Sequence, residues 1–152
     1  MKSKIGKITV FALLAALCAV MLAACADKTK SIEDIKPKYK EAGYRIETMS
    51  RNALGNIAGA EEGFKAFMQT QPQSPRYKSI VVEIFKFGKK ELAEEFVENG
   101  VIGVFENGKT LIKGTFVCNV RCVIWSEGSG AESYAPDSDE AKAAMKIFEA
   151  CF

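Results

Sequence analysis

An α+β domain, with a mostly antiparallel sheet of four or five strands and two or three packed helices, is the fold class this sequence predicts. Three observations lead there. The stretches "YKSIVVEIFKF" (77–87) and "TFVCNVRCVIW" (115–125) alternate with the two-residue period of a strand. "KKELAEEFVENG" (89–100) instead repeats Leu92, Ala93, Phe96 and Val97 at helical spacing, with Gly100 just past its end. Short turn-rich segments between the strands favour hairpins over long parallel crossovers.

Taken in order, "SIEDIKPKYKEAGY" from Ser31 reads as a short helix. Ser31 or Asp34 caps its start and Gly43 supplies the left-handed stop. Proline is tolerated in a first turn, so Pro37 confines the expected helix to Lys36–Ala42. "YRIETM" from Tyr44 is a first strand, and 50–63, rich in small residues, is an irregular connection with one helical turn. "GFKAFMQT" (63–70) is ambiguous. Phe64, Phe67 and Met68 fit a helical face, while Phe64, Ala66 and Met68 fit one side of a strand. The proline-bearing loop "QPQSP" that follows favours a hairpin into 77–87.

In that next strand Ile80, Val82 and Ile84 share one face, and Val81, Glu83, Phe85 and Phe87 share the other. Gly88 ends it. Asn107-Gly108, set between two apolar runs, is the signature of a two-residue hairpin. In 115–125, Phe116, Cys118, Val120, Cys122 and Ile124 point one way and Val117, Asn119, Arg121 and Val123 the other. "SEGSGAESYAPDS" (126–138) reads as a loop. Asp137 or Ser138 then caps a last helix through Phe152 that turns Ala141, Ala144, Met145 and Phe148 inward.

The N-terminus carries a different kind of information. Lys2, Lys4 and Lys7 precede an uncharged run, and small residues precede Cys25: the three regions of a secretory signal. The run from Ile8 to Ala26 spans 19 residues, so a membrane-spanning helix is the competing reading. Leu22-Ala23-Ala24-Cys25 decides between them. A spanning helix gives no reason for that ending, whereas the tetrad resembles the lipobox of bacterial lipoproteins. The resemblance implies that the Cys25 thiol carries a diacylglyceryl group and that cleavage just before it makes Cys25 the first mature residue. Residues 1–24 are then a signal peptide, 25–31 a lipidated tether and 32–152 one domain. The expected location is the outer face of the cytoplasmic membrane, or the outer membrane in a cell that has one. The mature region also resembles, at the level of pattern, small Gram-positive lipoproteins with a "helix–AGY–strand" opening and a strand–helix–hairpin centre. No activity follows from that likeness.

Composition narrows the chemistry. Cleavage would leave 128 residues and remove three of 21 basic and none of 19 acidic side chains, taking the net charge from +2 to −1. With no clustered basic surface, nucleic acid is not an expected partner. The chain holds no histidine, which excludes Ser–His–Asp and Cys–His catalysis and ordinary zinc hydrolysis. "PDSDE" (136–140) lacks the alternating ligands and central glycine of a calcium loop. The glycines of "NALGNIAGAEEG" (52–63) are not followed by the GK[ST] of a phosphate loop. No metal and no cofactor is expected, and a two-lobed solute-binding protein needs about twice this length.

Two groups of residues remain as candidates. Cys118 and Cys122 would stand about 13 Å apart on a strand, too far to bridge or to share a metal. They read first as core residues. A disulfide is the alternative, and a last helix returning along its strand by about 18 Å would bring Cys151 to Cys118 and not to Cys122. A thiol-dependent redox protein using Cys118, Cys122 or Cys151 is the corresponding enzyme reading. The second group is the reverse sheet face, Val81, Glu83, Phe85, Phe87, Val117, Arg121 and Val123, more apolar than a face that meets only water. The expectation is that the helices at 92–97 and 141–148 cover the opposite face. The reverse face is then left either for the helix at Lys36–Ala42 or for a second protomer or envelope protein anchored on Phe85 and Phe87. A non-catalytic binding or protein-interaction module tethered to the membrane is the leading functional expectation, with an inhibitor of an external hydrolase as a further one.

Overall fold

The computed structural model describes residues 30–71, 76–99, 108–126, 130–134 and 138–152. The elements are α1 (Ile32–Glu41), β1 (Arg45–Thr48), α2 (Arg51–Gly55), β2 (Ala60–Gln71), β3 (Arg76–Phe87), α3 (Lys90–Glu98), β4 (Lys109–Lys113), β5 (Phe116–Ser126), β6 (Gly130–Tyr134) and α4 (Asp139–Glu149). The class is α+β, and every strand pair is antiparallel. Strand order is β1-β2-β3-β5-β4, with β6 also on β5. Because β3 takes one whole edge of β5, β4 (along Phe116–Val120) and β6 (along Cys122–Ser126) divide the other. Six strands thus fill five positions. The expected hairpin between 63–70 and 77–87 forms as β2–β3. The Asn107-Gly108 hairpin lies outside the described residues. The turn seen beside it is Gly114-Thr115 between β4 and β5, where Gly114 takes the positive φ (58°) that a tight hairpin needs.

Helices cover both faces of the sheet. The front face carries Phe64, Ala66, Ile80, Val82, Ile84, Phe116, Cys118, Val120 and Cys122, all buried. Against it pack α1, through Ile32, Ile35 and Tyr39, and α4, through Ala141, Ala144, Met145 and Phe148. Tyr39 joins the two helices: its hydroxyl donates to the Ala144 carbonyl at 2.9 Å, and its ring meets Tyr44 and Phe64 edge to face. On the reverse face, Leu54 and Ile57 in and after α2, with Ala93 and Phe96 of α3, cover Phe85, Phe87 and Val117. The expected placement of the helices is therefore exchanged. The helix at 90–98 lies behind the sheet and the first helix in front. Periodicity says which side of a helix is apolar, but it carries no information on which side of the sheet the helix settles.

Five further expectations change. The first helix starts at Ile32, with Pro37 as an internal residue. Asp34 accepts from the Ser31 backbone N–H (2.8 Å) and hydroxyl (2.9 Å), which fixes the start well before the proline. Burial of Ile32, Ile35 and Tyr39, at about 2 kcal/mol each, then offsets the lost hydrogen bond. The connection 50–63 gives up its last residues to β2, which begins at Ala60 after Gly59 takes φ 82°. The expected loop 126–138 contains β6, because the outer edge of β5 beyond β4 offers it unpaired backbone. The last helix ends at Glu149, and the main-chain N–H groups of Cys151 and Phe152 close short turns onto Phe148 and Glu149. Leu92, expected in the buried stripe of α3, sits at its exposed margin.

Candidate functional site

Pairing register sorts the reverse face into tiers that run across the strands. Nearest α2 and α3 lie Gly63, Phe85, Val117 and Ile112, an apolar tier. A side-chain carbon on Gly63 would stand 2.9 Å from Leu54 and 3.1 Å from the Ile84 carbonyl, so glycine there lets α2 approach the sheet. Phe96 closes the tier, its ring 5.9 Å from that of Phe85 and 5.1 Å from that of Phe87. The second tier is polar throughout: Glu47, Lys65, Glu83, Asn119 and Thr110. The third is Arg45, Phe67, Val81 and Arg121, and the fourth begins Gln69, Ser79, Val123. Between these last two tiers lies a groove of about 360 Å³, lined by Arg45, Phe67, Gln69, Ser79 and Val81.

The second tier separates covered from open. Glu83 is 2% exposed. Its Oε1 receives both the Lys65 ammonium (3.0 Å) and the Arg121 guanidinium (3.4 Å). Its Oε2 has no hydrogen-bond partner among the described residues, and neither do the buried Asn119 Nδ2 and Arg121 Nε. A buried charge network satisfied only in part is costly, and apolar side chains of similar size would usually serve stability as well or better. Its effect is to fix a cationic rim: Arg121 and Lys65 stay partly exposed beside the groove while Glu83 holds them from beneath. Arg45 completes the rim. Its guanidinium lies over the Phe67 ring, 5.4 Å from the centroid, and among the described residues no carboxylate pairs with it.

The expected interaction face is thus divided. Phe85, Phe87 and Val117 are buried beneath α2 and α3 and so do not belong to the open surface expected of them. Val81 lines the groove, Glu83 and Arg121 form the network, and Val123 is buried one tier further on. Arg45, Lys65, Phe67, Gln69 and Ser79 escaped the sequence reading. Their signal was present but indirect, since the hairpin places Phe67 opposite Val81 only once its register is known.

The cysteines fall elsewhere. Cys25 lies outside the described residues. Cys118 and Cys122 point into the front core on one strand. No disulfide joins Cys118, Cys122 or Cys151 among the described residues. The Cys118 thiol lies against the Tyr39 hydroxyl, and Cys151 Sγ turns back to the Ile147 carbonyl at 3.2 Å. Cys118 and Cys122 are thus the core residues of the first reading, and the alternative, a Cys118–Cys151 bridge, is not formed. Burial pushes the Cys118 thiol well above its ordinary pKa, which withholds the thiolate that nucleophilic or redox chemistry requires. Among the described residues no group of three or more Cys, Asp or Glu side chains could hold a metal, and no helix is long and apolar enough to cross a membrane. Comparison with known proteins finds no matching family model, curated protein or solved structure.

Proposed function

We propose that this chain is a lipid-anchored protein of the cell envelope whose domain serves as a non-catalytic binding module, working through the open half of its reverse face. The observation that carries the anchor is Leu22-Ala23-Ala24-Cys25, placed six residues before Ser31, the N-cap of the first helix. Two acyl chains on Cys25, at about 0.8 kcal/mol per buried methylene, hold a protein on a membrane almost permanently. The tether between Cys25 and Ser31 spans at most about 20 Å, which keeps the domain near the surface. Support for binding comes from the groove. It combines an aromatic wall, two neutral polar side chains and a cationic rim on a rigid sheet. It also faces away from α1, the element that the tether enters.

Cys25→Ser tests the anchor. Expected is release of the protein from the membrane fraction or accumulation of an unprocessed precursor. The wild-type N-terminal fragment should gain the mass of a diacylglyceryl group. An unmodified mature N-terminus at another residue would contradict the reading.

A further inference from the structure

We infer that the groove on the reverse face is a site for a small organic monocarboxylate carried on an apolar body, with the carboxylate received by the Arg45 guanidinium. The inference rests on the binding-module reading and supplies the ligand class.

Charge comes first. Among the described residues Arg45 is the cationic side chain that lines the groove, while Lys65 and Arg121, next to the lining in the strand register, already share the buried Glu83 carboxylate. Arg45 is exposed, its guanidinium lies over the Phe67 ring, and among the described residues no carboxylate pairs with it. One planar fork matches one carboxylate in bidentate fashion. A dianionic phosphate would call on the two committed cations as well and would meet the field of Glu83 directly beneath. The walls say what the carboxylate is attached to. Phe67 and Val81 present apolar surface, so a bare inorganic anion would leave most of the groove unused. Gln69 and Ser79 can each donate and accept a hydrogen bond, which suits an amide or hydroxyl on the same ligand. A volume of about 360 Å³ lies at the small end of ligand sites and so selects a small molecule over a macromolecular surface.

N-acetyl-L-phenylalanine has each of these parts and is the probe. Two comparators remove one part each: N-acetyl-L-phenylalaninamide lacks the charge, and inorganic phosphate lacks the body. Amide chemical shifts of the full domain are followed during titration. Expected is saturable movement of Arg45, Phe67 and Val81 with a dissociation constant of about 1 mM or tighter. The amide comparator should bind at least about tenfold more weakly, the loss of a charge-assisted contact. Phosphate should move none of the three. Arg45→Gln, on an exposed side chain that supports no core contact, should keep the folded spectrum and lose the carboxylate preference. Equal binding of acid and amide, equal binding of phosphate, retention of the preference in Arg45→Gln, or no binding of the probe would each overturn the inference. If the probe fails while a photo-reactive side chain at Gln69 still captures a discrete envelope component, the ligand class is wrong and the binding module stands.

Discussion

The two halves of the reverse face use alternate residues of the same strands, and they differ in everything else. In one half, Phe85, Phe87 and Val117 are sealed by α2 and α3. In the other, Phe67 and Val81 stand beside Arg45, Gln69 and Ser79 around a groove, with the Lys65–Glu83–Arg121 network between the two. Strand alternation alone would make both halves equivalent. What separates them is where a helix can land: α3 follows β3 within three residues of Phe87 and covers that end of the sheet. Gly63 admits α2 to the same end. An aromatic side chain on a sheet thus becomes core or contact surface according to the element above it, not according to its own parity.

The largest expected effect contrasts one aromatic in each half. Phe85→Ala should destabilise the domain by about 3–5 kcal/mol, the cost of a buried cavity, while Phe67→Ala should cost about 1 kcal/mol or less. Denaturant unfolding of the two variants checks this, and equal losses would mean that the groove is part of the core.

The dividing network comes next. Arg121→Leu leaves Glu83 buried with only Lys65 beside it and should cost about 1–3 kcal/mol. Replacing all three together, Lys65→Met, Glu83→Leu and Arg121→Leu, should return stability to the wild-type level or above it. A triple variant less stable than Arg121→Leu would show that the network stabilises the fold and is not retained for the groove.

The smallest effect lies on the front face, beneath α1 and α4. Tyr39→Phe removes the hydrogen bond to Ala144 and should cost about 1 kcal/mol at pH 7. Burial raises the pKa of the Tyr39 hydroxyl and the Cys118 thiol well above their ordinary values, and that of Tyr44 to about 12. The fold holds these acids neutral, so their contribution is complete below their unfolded pKa values and is lost as pH rises above them. Stability should therefore fall above pH 9 to 10, the ordinary values of Cys and Tyr, and fall less steeply in Tyr39→Phe. A flat alkaline limb in the wild type would contradict the burial of this cluster.

Local pattern carried most of the fold. The parity of β3 and β5, the β2–β3 hairpin, the Ser138 cap and the inward stripe of α4 were all legible because each depends on neighbours within a few residues. The side of the sheet on which α3 lies, the length of α1 through Pro37, and β6 were not. Each depends on tertiary surface: the apolar end of β3, the front core that takes Tyr39, and the unpaired stretch of β5. The groove was half legible. Val81 and Arg121 belong to a face that alternation defines, but Arg45 and Phe67 join them only through the register of two further strands. The proposed lipid attachment needs no fold, since it rests on the four residues Leu22-Ala23-Ala24-Cys25.

The proposal that the open half of the reverse face is where this domain meets its ligand is tested most directly by position-specific photo-crosslinking. A photo-reactive side chain is placed at Gln69, in the groove, and in a second variant at Leu92, which is exposed on α3 over the covered half. Each variant is made in the whole chain and irradiated in the cells that produce it, and the adducts are read by intact mass. Expected is a discrete adduct from position 69 and none from position 92. The same adducts from both positions, or an adduct from position 92 alone, would contradict the assignment of the groove.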